Sequence, residues 1–256
     1  MIKVLSIAGS DPSGGAGIQS DLKTFQSLGA FGMAIPAALT AQSSRGVSAV
    51  YPVPAASLKK QIGALLSDVK PDAAKTGMLL TKQSVDSVAA AMSAYKIRNL
   101  VVDPVLRSSS GKVLLQDPAL TSLINKLFPL ALIVTPNIPE AEVLAGMKIR
   151  NTHDLDYAAG KILDMGPVYV LMKGGHGSSA SATDTLYGGK SVLSFSTMRR
   201  KGDFHGTGCA LSSAITVFIA RGLPVEKAVE KAKQFVDTML KTARTVGRGR
   251  AKYFQF

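Results

Sequence analysis

Ile2-Lys3-Val4-Leu5-Ser6-Ile7-Ala8 runs straight into Gly9-Ser10-Asp11-Pro12-Ser13-Gly14-Gly15-Ala16-Gly17, and a helical pattern follows to Leu28. The first seven residues are apolar enough for a buried strand. Ile18, Leu22, Phe25 and Leu28 recur at helical spacing and predict one apolar stripe, with Asp21 and Lys23 off it and Gly29 as the stop. A strand that ends in a glycine-rich turn and re-enters as a helix is the ligand-binding corner of a parallel α/β sheet. The loop is not a Walker A loop, because no Gly-Lys-Ser/Thr ending follows. It also misses the dinucleotide fingerprint, since no acidic residue closes a second strand about 20 residues on.

The same rhythm continues along the chain. Strands are predicted at Met33 to Leu39, at Val47 to Val53 on an edge, and at Ala73 to Thr76. Others are predicted at Asn99 to Asp103, Ala131 to Thr135 and Val168 to Met172. Helices are predicted at Ala55 to Val69, from Thr81 to Tyr95, from Pro118 to about Phe128, and from a Thr152 or Asp154 cap to Met165. Two more fall at Gly208 to Ala220 and Val225 to Leu240. Asp184 to Tyr187 and Ser191 to Ser196, joined by Gly188-Gly189-Lys190, read as a hairpin. Ser108 to Gly111 and Ser178 to Thr183 read as loops. The expectation is α/β: one domain over residues 1–256, with a mostly parallel central sheet and helices on both faces.

Composition narrows the classes. The 256 residues are 46% hydrophobic and 18% charged, which supports a large core. No apolar run approaches the roughly 20 residues that span a bilayer, and the N-terminus lacks the order of parts of a signal peptide. One Cys excludes a disulfide framework and a multi-cysteine zinc site. A cytoplasmic location is expected. The net charge is +13, yet basic residues are mostly scattered, with a cluster at Arg199-Arg200-Lys201 and a basic tail, Arg244 to Lys252. There are six Tyr, nine Phe and no Trp, without aromatic–basic interleaving, so neither nucleic acid nor membrane is an expected partner.

Chemistry-bearing residues gather after predicted strands, which brings them to one end of the sheet. Asp203-Phe204-His205-Gly206-Thr207-Gly208-Cys209 opens a helix of small apolar residues. Its first-turn N–H groups and helix dipole make an anion site. A phosphoryl-transfer site needs such donors, carboxylates for a cation, a positive side chain and a proton acceptor. Asp103 and Glu140 are the carboxylates, Lys173 is the cation, and Cys209 the candidate base. A thiol ionises near 8.5, so the helix terminus has to lower it for that role. Each residue also has a plain structural use: Asp103 as a turn before Pro104, Glu140 as a first-turn carboxylate, Lys173 as a loop lysine. His176 and His205 read as satisfied loop residues, and Tyr187 and Phe204 as packing residues.

The motifs together resemble the hydroxymethylpyrimidine/phosphomethylpyrimidine kinases of thiamine biosynthesis, within the ribokinase-like superfamily. Those motifs are Ile7 to Gln19 with Asp21 to Thr24, Ala38 to Gln42, Lys75 to Leu79, Val102 to Val105, Thr135 to Glu142, Lys173 to His176 and His205 to Cys209. The resemblance implies a three-layer sandwich, ATP and Mg²⁺, and successive phosphorylation of 4-amino-5-hydroxymethyl-2-methylpyrimidine to its mono- and diphosphate. It implies that Gly9, Asp21, Gln42, Met78 and Val105 line the pyrimidine pocket. Asn137, Lys173 and Asp184 then lie by the nucleotide, and Asp103 and Glu140 act on Mg²⁺. Gly206, Thr207, Gly208 and Cys209 form the anion hole, with Cys209 where many sugar-kinase relatives carry aspartate. A homodimer is expected, and no fused synthase extension. The loop Leu106-Arg107-Ser108-Ser109-Ser110-Gly111 departs from the family pattern, and Arg107 adds a cation there. A pyridoxal or pyridoxine kinase of the same superfamily is the alternative, although relatives of that kind tend to carry methionine at Gln42. A non-catalytic basic nucleotide- or nucleic-acid-binding protein is a remote one.

Overall fold

The computed structural model describes all residues except 109–110, 175–179 and 190–191. The readings of His176, of Ser109-Ser110, of Ser178-Ser179 and of the hairpin turn at Lys190-Ser191 fall outside the described residues. The centre is a nine-stranded sheet in the order β3-β2-β1-β4-β5-β6-β7-β8-β9. These strands are β1 (Lys3–Ser10), β2 (Phe31–Ser43), β3 (Gly46–Pro52), β4 (Ala73–Thr76), β5 (Leu100–Val102), β6 (Ile133–Val134), β7 (Tyr169–Lys173), β8 (Ser181–Tyr187) and β9 (Leu193–Met198). From β2 to β7 neighbours run parallel. The two edges, β3 and the β8–β9 hairpin, are antiparallel. Parallel strands buried on both sides need apolar residues on both faces, which explains runs such as Leu100-Val101-Val102 with no exposed member.

Alternate residues of each strand feed two separate cores. Leu5, Ile7, Val102, Val134 and Met172 face α2 (Ala55–Asp68), α3 (Lys82–Ala94), α4 (Asp117–Ser122), α5 (Ile138–Ala145) and α6 (Thr152–Leu163). Val4, Val101, Ile133 and Leu171 face α1 (Gly17–Ser27), α7 (Thr207–Ala220) and α8 (Val225–Thr242). The helices therefore cover both faces. Among the described residues no helix is long and apolar enough to cross a membrane.

Several local expectations change. Helix α1 buries Ser20, Asp21, Thr24 and Phe25, while Ile18 and Leu22 are only partly covered. Its inner face is polar because it meets Ser6 of β1, Lys75 of β4 and Ser213 of α7 through hydrogen bonds to Asp21. The helix from Pro118 gives way to a π-helical turn at Leu123–Leu127 and a 3₁₀ turn at Phe128–Leu130. Helix α6 is capped by Asn151, which accepts from the N–H of Asp154, rather than by Thr152 or Asp154. The carboxylate of Asp154 accepts in return from the N–H of Arg150. A short antiparallel pair, β10 (Arg244–Thr245) and β11 (Lys252–Tyr253), closes the basic tail.

A buried ion pair ties α8 to β8. Lys233 Nζ donates to Asp184 Oδ2 at 2.6 Å, and both residues are buried. Removing one member of such a pair leaves an uncompensated buried charge. Lys233→Ala is expected to lower the unfolding free energy by about 3 kcal/mol in urea titrations. A loss below about 1 kcal/mol would mean that Asp184 is relieved by another route.

Candidate active site

The carboxyl ends of β1, β4, β5, β6 and β7 face the N-termini of α1 and α7. Gly206 is the N-cap of α7, at φ 79°, and a Cβ there would lie 1.7 Å from the carbonyl oxygen of Gly15. Only glycine lets the two loops touch so closely. Helix α7 has no side-chain cap and no acidic residue in its first turn, so its opening N–H groups are left for a ligand. Gly17 opens α1 in the same way: a Cβ on it would meet the Gly9 carbonyl oxygen at 2.3 Å. The N–H of Gly17 is directed at the Cys209 thiol. Gly9, Gly17, Gly206, Thr207, Gly208 and Cys209 are thus brought to one place.

Charged residues meet the α7 terminus from the side. Lys173 Nζ donates to Asp103 Oδ1 at 2.8 Å, and a Cβ on Gly208 would lie 3.2 Å from that Nζ. Asp103 also accepts from Thr135 Oγ1 at 3.3 Å and Ser212 Oγ at 3.2 Å. Burial works against its charge, but Lys173 and Lys75 hold the carboxyl below its usual range. Lys173 is shifted the opposite way: burial lowers it, and Asp103 with Glu140 raises it well above a normal lysine. Glu140 accepts from the backbone N–H groups of Asn137 and Leu106 and forms a capping box with Asn137. Burial, countered in part by Lys173, and then the charge of Asp103 push Glu140 up to about 7. Two nearby hard-oxygen carboxylates, one held out of its ionised range partly by the other, are a donor set that a divalent cation would relieve.

A second group forms an apolar wall. A Cβ on Gly9 would meet Met78 Cε at 2.2 Å, so Met78 lies directly on that glycine. Met78 clusters with Ala38, Leu80 and Leu114, with Val50 and Val105 against them. Gln42 stands on β2 at the edge of an open cleft of ≈ 860 Å³, which Pro12, Arg45, Val47, Ser48 and Lys112 also line. Arg107 is exposed and directed at its own loop, 3.4 Å from the Gly111 carbonyl.

Two expected site residues have their side chains engaged within the protein. Asp21 has no exposed surface and already accepts from Ser6, Lys75 and Ser213. Its carboxylate is held beneath the site by those three donors. Asp184 accepts from the N–H of Gly174 at 3.0 Å and from Lys233, so it holds the backbone at Gly174. Asn137 uses its side-chain oxygen to cap α5, and its backbone pairs with Lys173. The thiol also departs from expectation: burial outweighs the neighbouring Lys75 and pushes Cys209 up to about 11. Tyr187 and Phe204 do pack: Tyr187 donates to Asp156 at 2.7 Å, and Phe204 joins the α7–α8 core. Sequence reasoning assigned no role to Lys75, which is fully buried beside Asp21. A lysine inside the four-residue strand Ala73-Ala74-Lys75-Thr76 was the available sign, since a buried lysine needs a partner.

Comparison with known proteins gives the family and the fold. Residues 11–253 match the family described as Phosphomethylpyrimidine kinase. The hydroxymethylpyrimidine/phosphomethylpyrimidine kinase of Bacillus subtilis is 39% identical over 249 residues, covering 96% of this chain and 92% of that protein. The thiamine biosynthesis bifunctional protein of Geobacter sulfurreducens is 42% identical over 247 residues, and the match covers 96% of this chain but 50% of that longer protein. The chain thus spans about half the length of that bifunctional relative and nearly all of the B. subtilis kinase. Among solved structures, a phosphomethylpyrimidine kinase from Clostridium difficile superposes with a TM-score of 0.83 at 43% identity, over 93% of this chain and 99% of that one. A Staphylococcus aureus pyridoxal kinase in complex with AMP-PCP and pyridoxal gives 0.91 at 34% identity, over 100% of this chain and 93% of that one. The chain belongs to the phosphomethylpyrimidine kinase family and has the ribokinase-like fold.

Two outcomes follow from the shifted groups. A thiol that ionises near 11 is alkylated slowly by iodoacetamide at pH 7, with a rate that climbs up to about pH 11; a rate already level at pH 7 would show a thiolate. Glu140 takes up its proton in the folded state between its unfolded value of 4.5 and about 7. Stability of the unliganded protein therefore falls as pH rises through that window, by on the order of 3 kcal/mol from this group. Melts of the wild type and Glu140→Gln at pH 5 and pH 8 isolate the slope, which the variant should lack.

Proposed function

We propose that this kinase transfers the γ-phosphoryl group of ATP to the hydroxymethyl oxygen of 4-amino-5-hydroxymethyl-2-methylpyrimidine. It then phosphorylates the monophosphate to the diphosphate used in thiamine biosynthesis. The observation that carries the phosphoryl-transfer part is the Lys173–Asp103 pair set against the uncapped start of α7, with Gly208 leaving room between them. Family membership and the Gly9–Met78–Val105 wall with Gln42 support the pyrimidine.

In this reading the flat ring lies on Met78, which offers a polarizable surface, and beside Gly9 and Val105. Gln42 supplies an amide donor to a ring nitrogen. Asn137 and Lys173 border the nucleotide. Asp103 and Glu140 hold Mg²⁺, directly or through water, and the ion would offset charge on the phosphates. The N–H groups of Gly206 to Cys209 receive the charge that develops on the transferred group. The P–O bond to the nucleotide breaks as the bond to the substrate oxygen forms. A loose transition state needs little prior removal of the hydroxyl proton, which passes to a phosphate oxygen or to water as the new bond forms. The protonated thiol of Cys209 is then not the base that an activated cysteine would be; its backbone N–H is its contribution. One kinase domain over residues 1–256, a cytoplasmic location and a homodimer belong to the same reading. For the dimer, the exposed Leu39 and Tyr51 beside edge strand β3 offer a surface.

Pyridoxal phosphorylation is the second reading, favoured by the backbone match to the S. aureus pyridoxal kinase. A panel of the pyrimidine, its monophosphate, pyridoxal, pyridoxine and hydroxyethylthiazole with Mg-ATP, read by product mass, separates the two. Mono- and diphosphate of the pyrimidine are expected; transfer to pyridoxal or pyridoxine alone would remove the pyrimidine assignment. On the productive substrate Gly206→Ala is expected to lose at least about 100-fold in kcat, since its Cβ displaces the anion hole. Cys209→Ala is expected to stay within about 10-fold at pH 7.5; a loss beyond about 1,000-fold would restore the thiol as a proton carrier.

A further inference from the structure

A chain of hydrogen bonds runs from the glycine loop to Gln42 through His205. His205 Nε2 lies 2.8 Å from Asp11 Oδ2 and 3.0 Å from the side-chain amide of Gln42. Asp11 is itself pinned: it accepts from the N–H and hydroxyl of Ser13 and from the N–H of Ala16. Burial would raise Asp11, but His205 and Ser13 hold it below its usual range, so it is an ionised acceptor. The imidazole edge meets the Tyr253 ring 5.2 Å away at 61°, and the backbone N–H of His205 donates to the Lys252 carbonyl.

These contacts decide which way the amide points. A carboxylate only accepts, so Nε2 carries the proton that reaches Asp11. A ring nitrogen that donates cannot accept from the Gln42 Nε2 placed beside it. At the other end, Thr40 Oγ1 faces two acceptors, the Ser10 carbonyl at 2.9 Å and Gln42 Oε1 at 3.2 Å, with one proton to give. A half-turn of the amide resolves both conflicts, since its two ends have the same shape. Its oxygen then shares the His205 proton with Asp11. Its nitrogen donates to Thr40, whose hydroxyl keeps its bond to Ser10. One amide N–H and one oxygen lone pair stay uncommitted.

We infer that His205, anchored by Asp11, is a positioning residue that sets the orientation of the Gln42 amide and thereby the recognition of the heteroaromatic ring. This rests on the reading of Gln42 as a substrate contact. His205 touches no reacting atom; it fixes which hydrogen-bonding pattern Gln42 presents, donor on the Thr40 side and acceptor on the His205 side. A ring that needs the opposite pattern is disfavoured.

A double-mutant cycle tests it on the phosphorylation of the pyrimidine. His205→Phe keeps the ring against Tyr253 and deletes the donor; His205→Gln returns an N–H near the same place. His205→Phe is expected to raise KM about 10-fold with kcat within about two-fold, and His205→Gln to restore most of the KM. Gln42→Ala is expected to raise KM about 10-fold, and adding His205→Phe to it to change KM less than about two-fold. If the two KM effects multiply, or if His205→Phe lowers kcat instead, His205 acts through the α7 loop and the inference is overturned. If Gln42→Ala leaves KM unchanged, it is the assignment of Gln42 to the substrate that fails, and the inference goes with it. If His205→Phe does not fold, His205→Gln and Gln42→Ala still decide: a 10-fold KM rise in His205→Gln with native melting would count against a donor role.

Discussion

Lys75 and Asp21 form an ion pair with no exposure, 2.7 Å apart, between the sheet and the two helices that point at the site. Burying a lysine and a carboxylate costs several kcal/mol each unless the remaining valences are met. Here they are: Ser6 and Ser213 donate to the same carboxylate. Ser6 and Lys75 are register partners on adjacent strands, Asp21 comes from α1, and Ser213 from α7. The cluster is satisfied only when β1, β4, α1 and α7 are docked together. A slip of either helix would strand a buried charge, so the pair fixes where the two helix N-termini arrive.

That placement governs the electrostatics of the site. Lys75 and Lys173 are both positive, the first fully buried and the second partly; Asp21 and Asp103 answer them. Glu140 is the carboxylate left over, and its protonation is the cheapest way to balance the cluster when no cation is bound. Cys209 faces the same field. Lys75 favours its thiolate, but Asp21 and Asp103 neighbour it as well, and burial decides for the neutral thiol. A pocket already neutral in this sense gains most from ligands that bring opposite charges together, as a nucleotide with a divalent cation does.

The fold was legible because its punctuation is strong. Leu100-Val101-Val102 before Asp103-Pro104 reads as a buried parallel strand without any tertiary knowledge, and Asn137-Ile138-Pro139-Glu140 reads as a helix start. Both stand as read, and the second is a capping box. That Asp103 and Lys173, 70 residues apart in the chain, come to one end of the sheet followed from both lying at the ends of parallel strands; their ion pair did not. Asp21 was harder. Periodicity weighs apolar residues only, so a helix face buried through serine, threonine and aspartate is invisible to it. The partner of Asp184 was hidden for a related reason: it stands opposite Lys173 on the neighbouring strand, but its side chain also reaches a lysine on α8. The sequence carries no short-range sign of that partner. The π-helical turn at Leu123 depends on a single extra residue in the turn, which hydrophobic spacing does not resolve.

The loop from Asp203 to Cys209 joins two tasks that simple motif reading keeps apart. His205 reaches Asp11 and Gln42, and the next residue, Gly206, is the N-cap of α7, where the anion hole is proposed. One residue of backbone spans at most about 3.6 Å, so in the proposed reading the group that aligns the ring and the group that meets the phosphoryl stay adjacent. The tail makes this firmer, because Lys252 exchanges backbone hydrogen bonds with both Asp203 and His205, and Tyr253 reaches Ser13 of the glycine loop. A hydroxymethyl arm is one carbon long and cannot absorb an error in ring placement by bending. For such a substrate, alignment worth several kcal/mol of the barrier has to come from the protein, and it is lost with a displacement of about 1 Å. Binding the ring and meeting the transferred group from one braced loop is a way for a single chain to hold that distance.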